Sequence, residues 1–218
     1  MVRNSEPPAP RLSAPDLPPH LESGPSPSRG GDYFCVRWSA LDPLTDAAHA
    51  TITECAVLEA SVERLELTGA TLVDVDVRDL RATTITGRAA RLRRVRITGG
   101  RIGTLDLAEA ELDEVELRGV RIDYLSLAAG RITDLLIADC TIGTLDVPQA
   151  TVTRVGFANS RADDVDTRGL RATDLDLRGL EAVSYLDAAS LRGAILSPRQ
   201  VEYLAPAMAD ALGIRVLV

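Results

Sequence analysis

Residues 95–144 read VRITG GRIGT LDLAE AELDE VELRG VRIDY LSLAA GRITD LLIAD CTIGT when cut into fives. In every block the first and third residues are apolar or Gly, and the polar and charged residues fall on the other three. The register extends outward in both directions. First positions run from Ala50, Cys55, Ala60 and Leu65 to Leu180, and third positions from Ile52, Val57 and Val62 to Ala182, which makes 27 pentads without an insertion. Residues 50–182 hold 40 charged side chains, 23 acidic and 17 Arg, and none occupies a first or third position. Only Ser160 and Thr167 are polar there. A repeat this strict has to be read before any local propensity, because it dictates the whole fold.

A helix cannot use the spacing: at ~100° per residue the apolar positions scatter around the cylinder and leave no stripe. A straight strand satisfies the step of two but not the step of three that follows it. The chain must therefore turn a corner once per pentad and point the next pair inward again. Repeated, this winds a coil with an apolar axis and a polar exterior. After Ala182 the register slips by one, so that Ala189/Leu191 and Ala194/Leu196 continue it with one residue removed.

These blocks resemble the pentapeptide repeat proteins, whose consensus is a small residue, a polar one, Leu or Phe, then two polar ones. The resemblance spans residues 50–196. It implies a right-handed quadrilateral β-helix, an all-β solenoid with one pentad per side and four per turn. This sequence departs from the consensus at the second position, which is seldom Asp or Asn, and at the third, where Phe appears once, as Phe157.

The flanks divide the chain further. Residues 1–31 hold eight of the twelve prolines and no apolar periodicity, a composition that predicts a disordered tail. Residues 32–49 carry three of the seven aromatics, Tyr33, Phe34 and Trp38, and read as an N-terminal cap that plugs the first coil. In residues 197–218, Ser197-Pro198-Arg199-Gln200 supplies an N-cap, a proline at the first helical position and a capping-box partner. A short capping helix should follow, with Val201, Leu204, Met208 and Leu212 on one face and Gly213 as its stop. Ile214, Val216 and Val218 then form a short apolar strand, the candidate contact of a homodimer.

Chemistry is sparse. The only histidines are His20 and His49, and no nucleophile-base pair, metal cluster or phosphate loop can be assembled. The sequence thus predicts no catalytic residue, cofactor or metal, and a protein that is not an enzyme. Gly99, Gly100 and Gly103 read as small residues at crowded corners. Cys35, Cys55 and Cys140 contain no C-x-x-C, and Cys55 and Cys140 take first positions, where buried thiols belong. With no apolar run long enough for a span or leader, the expectation is a cytoplasmic protein that inserts in no membrane. A net charge of −8 argues against direct nucleic-acid binding and suits a basic protein partner.

Second positions should stack every twenty residues. One column then runs Glu66, Thr86, Asp106, Ser126, Asp146 and Asp166; its neighbour runs Arg81, Arg101, Arg121, Thr141 and Arg161. These are the candidate interaction surfaces of a rod or scaffold that works through protein contacts. The family resemblance implies an alternative: a DNA mimic that binds type II topoisomerase, chiefly DNA gyrase, and protects it from quinolone-type drugs. Residues 50–196 carry a net charge of −6, from 24 acidic residues and 18 Arg. Duplex DNA presents about 21 charges over a comparable ~36 Å, which weakens a mimic built on mean charge.

Overall fold

In the computed structural model, residues 7–215 are described, and the pentads wind into a parallel quadrilateral β-solenoid. Thr71, Arg91 and Glu111 are strand neighbours, so one turn takes 20 residues. From residue 51 to residue 146 each turn contributes an eight-residue strand such as Arg91–Thr98 and a six-residue strand such as Arg101–Asp106. The short strands stack into an eight-stranded sheet, about eight turns or ~34 Å of rod. Ile102, Leu105, Ile122, Leu125, Ile132, Leu135 and Ile142, all first or third positions, are buried on its axis with their equivalents above and below.

The corners show how a step of three is made. Within each long strand one residue leaves extended geometry for a left-handed one: Glu54, Asp74, Arg94, Glu114, Asp134, Arg154 and Asp174 have φ of 50–55°. The next corner uses Glu59, Asp79, Gly99, Gly119, Asp139 and Asn159, again at positive φ. A third is a turn closed by bonds such as Ala70 N–H to the Leu67 carbonyl, with Gly69 left-handed. The fourth, inside the short strands, needs no positive φ. Left-handed backbone favours Gly, Asn and Asp, which is why the fifth pentad position is rich in them.

Ser160 and Thr167, the two polar residues at first and third positions between residues 50 and 182, are satisfied. Ser160 Oγ accepts the Cys140 N–H at 3.1 Å and lies 2.9 Å from the Ala158 carbonyl; Thr167 Oγ1 donates to the Leu186 carbonyl at 2.6 Å. Burial raises the thiol pKa of both Cys55 and Cys140, which keeps them protonated and inert.

At the C-terminal end the one-residue slip appears as paired positions: Leu175 faces Ala194 and Asp176 faces Ile195. Helix Pro198–Ala211 follows with both capping-box bonds formed between Ser197 and Gln200. Its apolar face is only partly used. Leu204 is buried and Met208 half-buried, whereas Val201 and Leu212 are exposed.

The N-terminal segments differ from the expectation. Coiling begins at residue 32 rather than 50, since Tyr33 pairs with Ile52 and Trp38 with Val57. Trp38 is buried, packed edge-on against Tyr33 at 5.5 Å, but Phe34 points outward at 63% exposure and plugs nothing. Composition predicts disorder for residues 1–31, whereas residues 7–31 lie against the solenoid. Pro10 sits over Gly156, at 3.3 Å from where a Cβ would stand. The chain then runs toward the first coil, where Glu22–Ser23 pairs with Val36–Arg37 and the Pro25 carbonyl accepts the Trp38 indole N–H at 2.7 Å. Backbone N–H groups held by carboxylates of the rod, not an apolar stripe, anchor this strap.

Candidate interaction surface

Both sequence-predicted columns are in strand register. Arg81, Arg101, Arg121, Thr141 and Arg161 are successive neighbours, as are Glu66, Thr86, Asp106, Ser126, Asp146 and Asp166. Their chemistry differs sharply.

The acidic column is turned inward, onto its own corner. Glu66 accepts the Thr68 N–H at 3.0 Å, Asp106 that of Ala108 at 3.0 Å, and Asp166 that of Arg168 at 3.0 Å. Each carboxylate thus satisfies the backbone donor two residues on, as Asx-type turns do. Asp146 shows the rule by exception: two residues on lies Pro148, which has no N–H, and its carboxylate instead accepts the Tyr124 hydroxyl. Arg88 reaches Asp106, and the Arg168 guanidinium holds Asp166 below the usual carboxylate range, though burial opposes it. Asp166 is only 6% exposed. The column offers few free negative charges.

The Arg column points outward. Arg81, Arg101, Arg121 and Arg161 are all exposed. Arg101 and Arg121 share Asp123, at 2.9 and 3.6 Å. Arg81 and Arg161 make no ion pair among the described residues. Beside this column lies an open groove of about 1280 Å³, walled by Glu59, Glu63, Asp79, Arg81, Arg101 and Asp123. At its floor is Gly100, with φ +84° and the Leu80 carbonyl 2.2 Å from any added Cβ, which bears out the crowded-corner reading.

A third column escaped the sequence reading. The left-handed corner inside the long strands stacks Asp74, Arg94, Glu114, Asp134 and Arg154. Arg94 grips Asp74 with two bonds of 2.6 and 2.5 Å, and Arg154 grips Asp134 with two of 2.7 Å. Each Asp also accepts a strap N–H, from Asp16 at 3.0 Å and Arg11 at 2.9 Å, and Glu114 accepts that of Ser13 at 3.0 Å. The Arg94 fork, outweighing desolvation, lowers the Asp74 pKa. At Asp134 burial pushes upward, yet the Arg154 fork and the Arg11 N–H prevail and the pKa is lowered. The available signal was the fifth-position sequence itself, acid, acid, Arg, repeated every three turns.

At the C-terminal end Ile214 is 56% exposed and lies in no strand, while Val216 and Val218 fall outside the described residues. No helix among the described residues is long and apolar enough to cross a membrane.

The fold and its side-chain columns define a parallel β-solenoid with stacked, largely self-paired exterior charges. No family model and no curated protein matches the chain. Among solved structures it is similar to two trypsin-treated forms of QnrB1, a plasmid-mediated fluoroquinolone resistance protein. One is 13% identical over 86% of this chain and 100% of the other, with a TM-score of 0.36; the second is 14% identical over 90% and 96%, with a TM-score of 0.39. At that distance the likeness assigns no activity or partner to this chain.

Proposed function

We propose that the chain is a non-enzymatic rod that binds a partner protein through the exposed Arg column on the short-strand sheet. The observation that carries this reading is the contrast between two adjacent columns: the carboxylates are occupied by their own turns or, at Asp146, by Tyr124, whereas among the described residues Arg81 and Arg161 make no ion pair and Arg101 and Arg121 share Asp123. Four guanidinium groups on a rigid sheet suit an acidic patch and make association sensitive to salt. The test is affinity capture from the native cell with wild-type protein and with the Arg81→Ala, Arg101→Ala, Arg121→Ala, Arg161→Ala variant. A protein retained only by the wild type supports the reading; identical capture by both, at equal melting temperature, overturns it.

The resemblance to pentapeptide repeat proteins supports a second reading, a DNA mimic that modulates gyrase. On it, micromolar protein alters supercoiling in a gyrase assay, and Asp106→Asn, Asp146→Asn and Asp166→Asn together abolish the effect. Unaltered supercoiling with wild-type protein removes this reading. Exposed Val201, Leu212 and Ile214 support pairing of two copies at the C-terminal end. Light scattering then gives twice 23.3 kDa, and the single-chain mass refutes pairing.

A further inference from the structure

We propose that the Asp74–Glu114–Asp134 edge is a docking groove for an extended, proline-rich peptide, that residues 7–18 are its resident ligand, and that a proline-rich segment of a partner protein binds by replacing them. This edge is distinct from the Arg column, and the inference does not depend on that face.

Four features of the contact carry it. All three anchoring hydrogen bonds are made by strap backbone N–H groups, of Arg11, Ser13 and Asp16, so at these three positions the rod reads main chain and not side-chain identity. The spacing is that of one conformation. Asp134 and Asp74 are three turns apart, ~14.4 Å, and the strap covers this in five residue steps, ~2.9 Å each, close to the ~3.1 Å rise of a polyproline II helix. That helix makes no internal hydrogen bonds, so its N–H groups are available, and prolines at 10 and 15 pre-set it without removing any of the three donors used. The acceptors are also held from the rod side: Arg94 and Arg154 grip the two Asp side chains through bonds that do not involve the strap. Finally, Gly156 leaves the space that Pro10 fills, in a strand where a side chain would otherwise be favoured.

A tether of this kind presents the strap at millimolar effective concentration, so a free peptide of equal intrinsic affinity is excluded until the strap leaves. The test uses the full chain carrying Arg11→Pro, Ser13→Pro and Asp16→Pro, which deletes the three donors and keeps the extended conformation. Two fluorescent peptides of residues 7–20 are titrated by anisotropy: the native sequence, and one with Arg11→Ala, Ser13→Ala and Asp16→Ala. Both should bind the Pro variant saturably and at least tenfold more tightly than they bind wild-type protein. Adding Asp74→Ala and Asp134→Ala to the Pro variant should weaken binding at least tenfold. Gly156→Val, which leaves the carboxylates and their Arg partners intact, should weaken it at least threefold. Absence of saturation up to ~1 mM, the effective concentration of such a tether, overturns the proposal. So does binding that ignores the Asp74 and Asp134 changes, or binding confined to the native peptide, which would make the contact a clasp for this tail alone.

Discussion

Gly100→Ala and Gly119→Ala are the same chemical change at two left-handed residues, and the solenoid predicts very different losses. At Gly119, φ is +64° and no atom lies within 4 Å of the new Cβ. The substitution therefore pays only the left-handed penalty of an L-residue, about 1 kcal/mol. At Gly100, φ is +84° and the new Cβ stands 2.2 Å from the Leu80 carbonyl oxygen, against the 3.4 Å where ordinary contact begins. That atom is backbone of the preceding coil and cannot swing aside. The two coils must part by about 1 Å, straining the Arg101 N–H bond to the same carbonyl, now 3.0 Å. Overpacking of this sort costs about 1–3 kcal/mol and the weakened bond up to about 1, on top of the same left-handed penalty of about 1, so the total is about 2–5 kcal/mol. In urea unfolding of the full chain, with a slope of roughly 2.5 kcal/mol/M, the midpoint should fall by about 0.4 M for Gly119→Ala and about 0.8–2 M for Gly100→Ala. Equal shifts, or a larger one at Gly119, would refute the stacking of Gly100 on Leu80.

Ser160→Ala should destabilise the chain by about 1–3 kcal/mol in the same assay, because the Cys140 N–H is then buried without its acceptor. Ser197→Ala removes one half of the capping box and should cost about 1 kcal/mol, read as increased amide exchange in the first turn of the C-terminal helix with the coils unaffected. The lowered pKa values of Asp74 and Asp134 give a pH signature: their stabilisation is complete above the unfolded carboxylate range near ~3.9 and is lost as pH falls through their folded values. Exchange of the Arg11 and Asp16 amides should therefore accelerate, beyond its intrinsic pH dependence, only below about pH 4, and Asp74→Asn with Asp134→Asn should remove the step. Loss of protection already between pH 7 and 5 would contradict this assignment.

Most of the architecture was legible because burial on a solenoid axis repeats. Leu105, Leu125 and Leu145 each needed only an apolar residue in phase, and a charge at any such place would have broken the pattern. The one-residue slip before Ala194 and the Ser197/Gln200 box were readable for the same reason, as local rules agreeing with the repeat. The strap was not. Its anchors are main-chain N–H groups, which every non-proline residue carries, so Arg11, Ser13 and Asp16 leave no mark in composition. The half that could be seen was on the rod, where acidic residues and Arg share a left-handed corner that Gly or Asn would fill more cheaply. The acidic second-position column failed in the opposite way. Its spacing was right, but spacing does not reveal that Glu66 and Asp106 bend back onto their own turns, or that Pro148 redirects Asp146 to Tyr124.

The winding itself is tested most directly by pulsed electron spin resonance between nitroxides at Arg81→Cys and Arg161→Cys, with Cys35, Cys55 and Cys140 changed to Ala. Four turns separate these sites, so the labels should lie about 19 Å apart, and moving the second label to Arg121→Cys should bring them to about 10 Å. A separation that does not shrink by about 4.8 Å for every twenty residues removed would contradict the coil on which every surface described above depends.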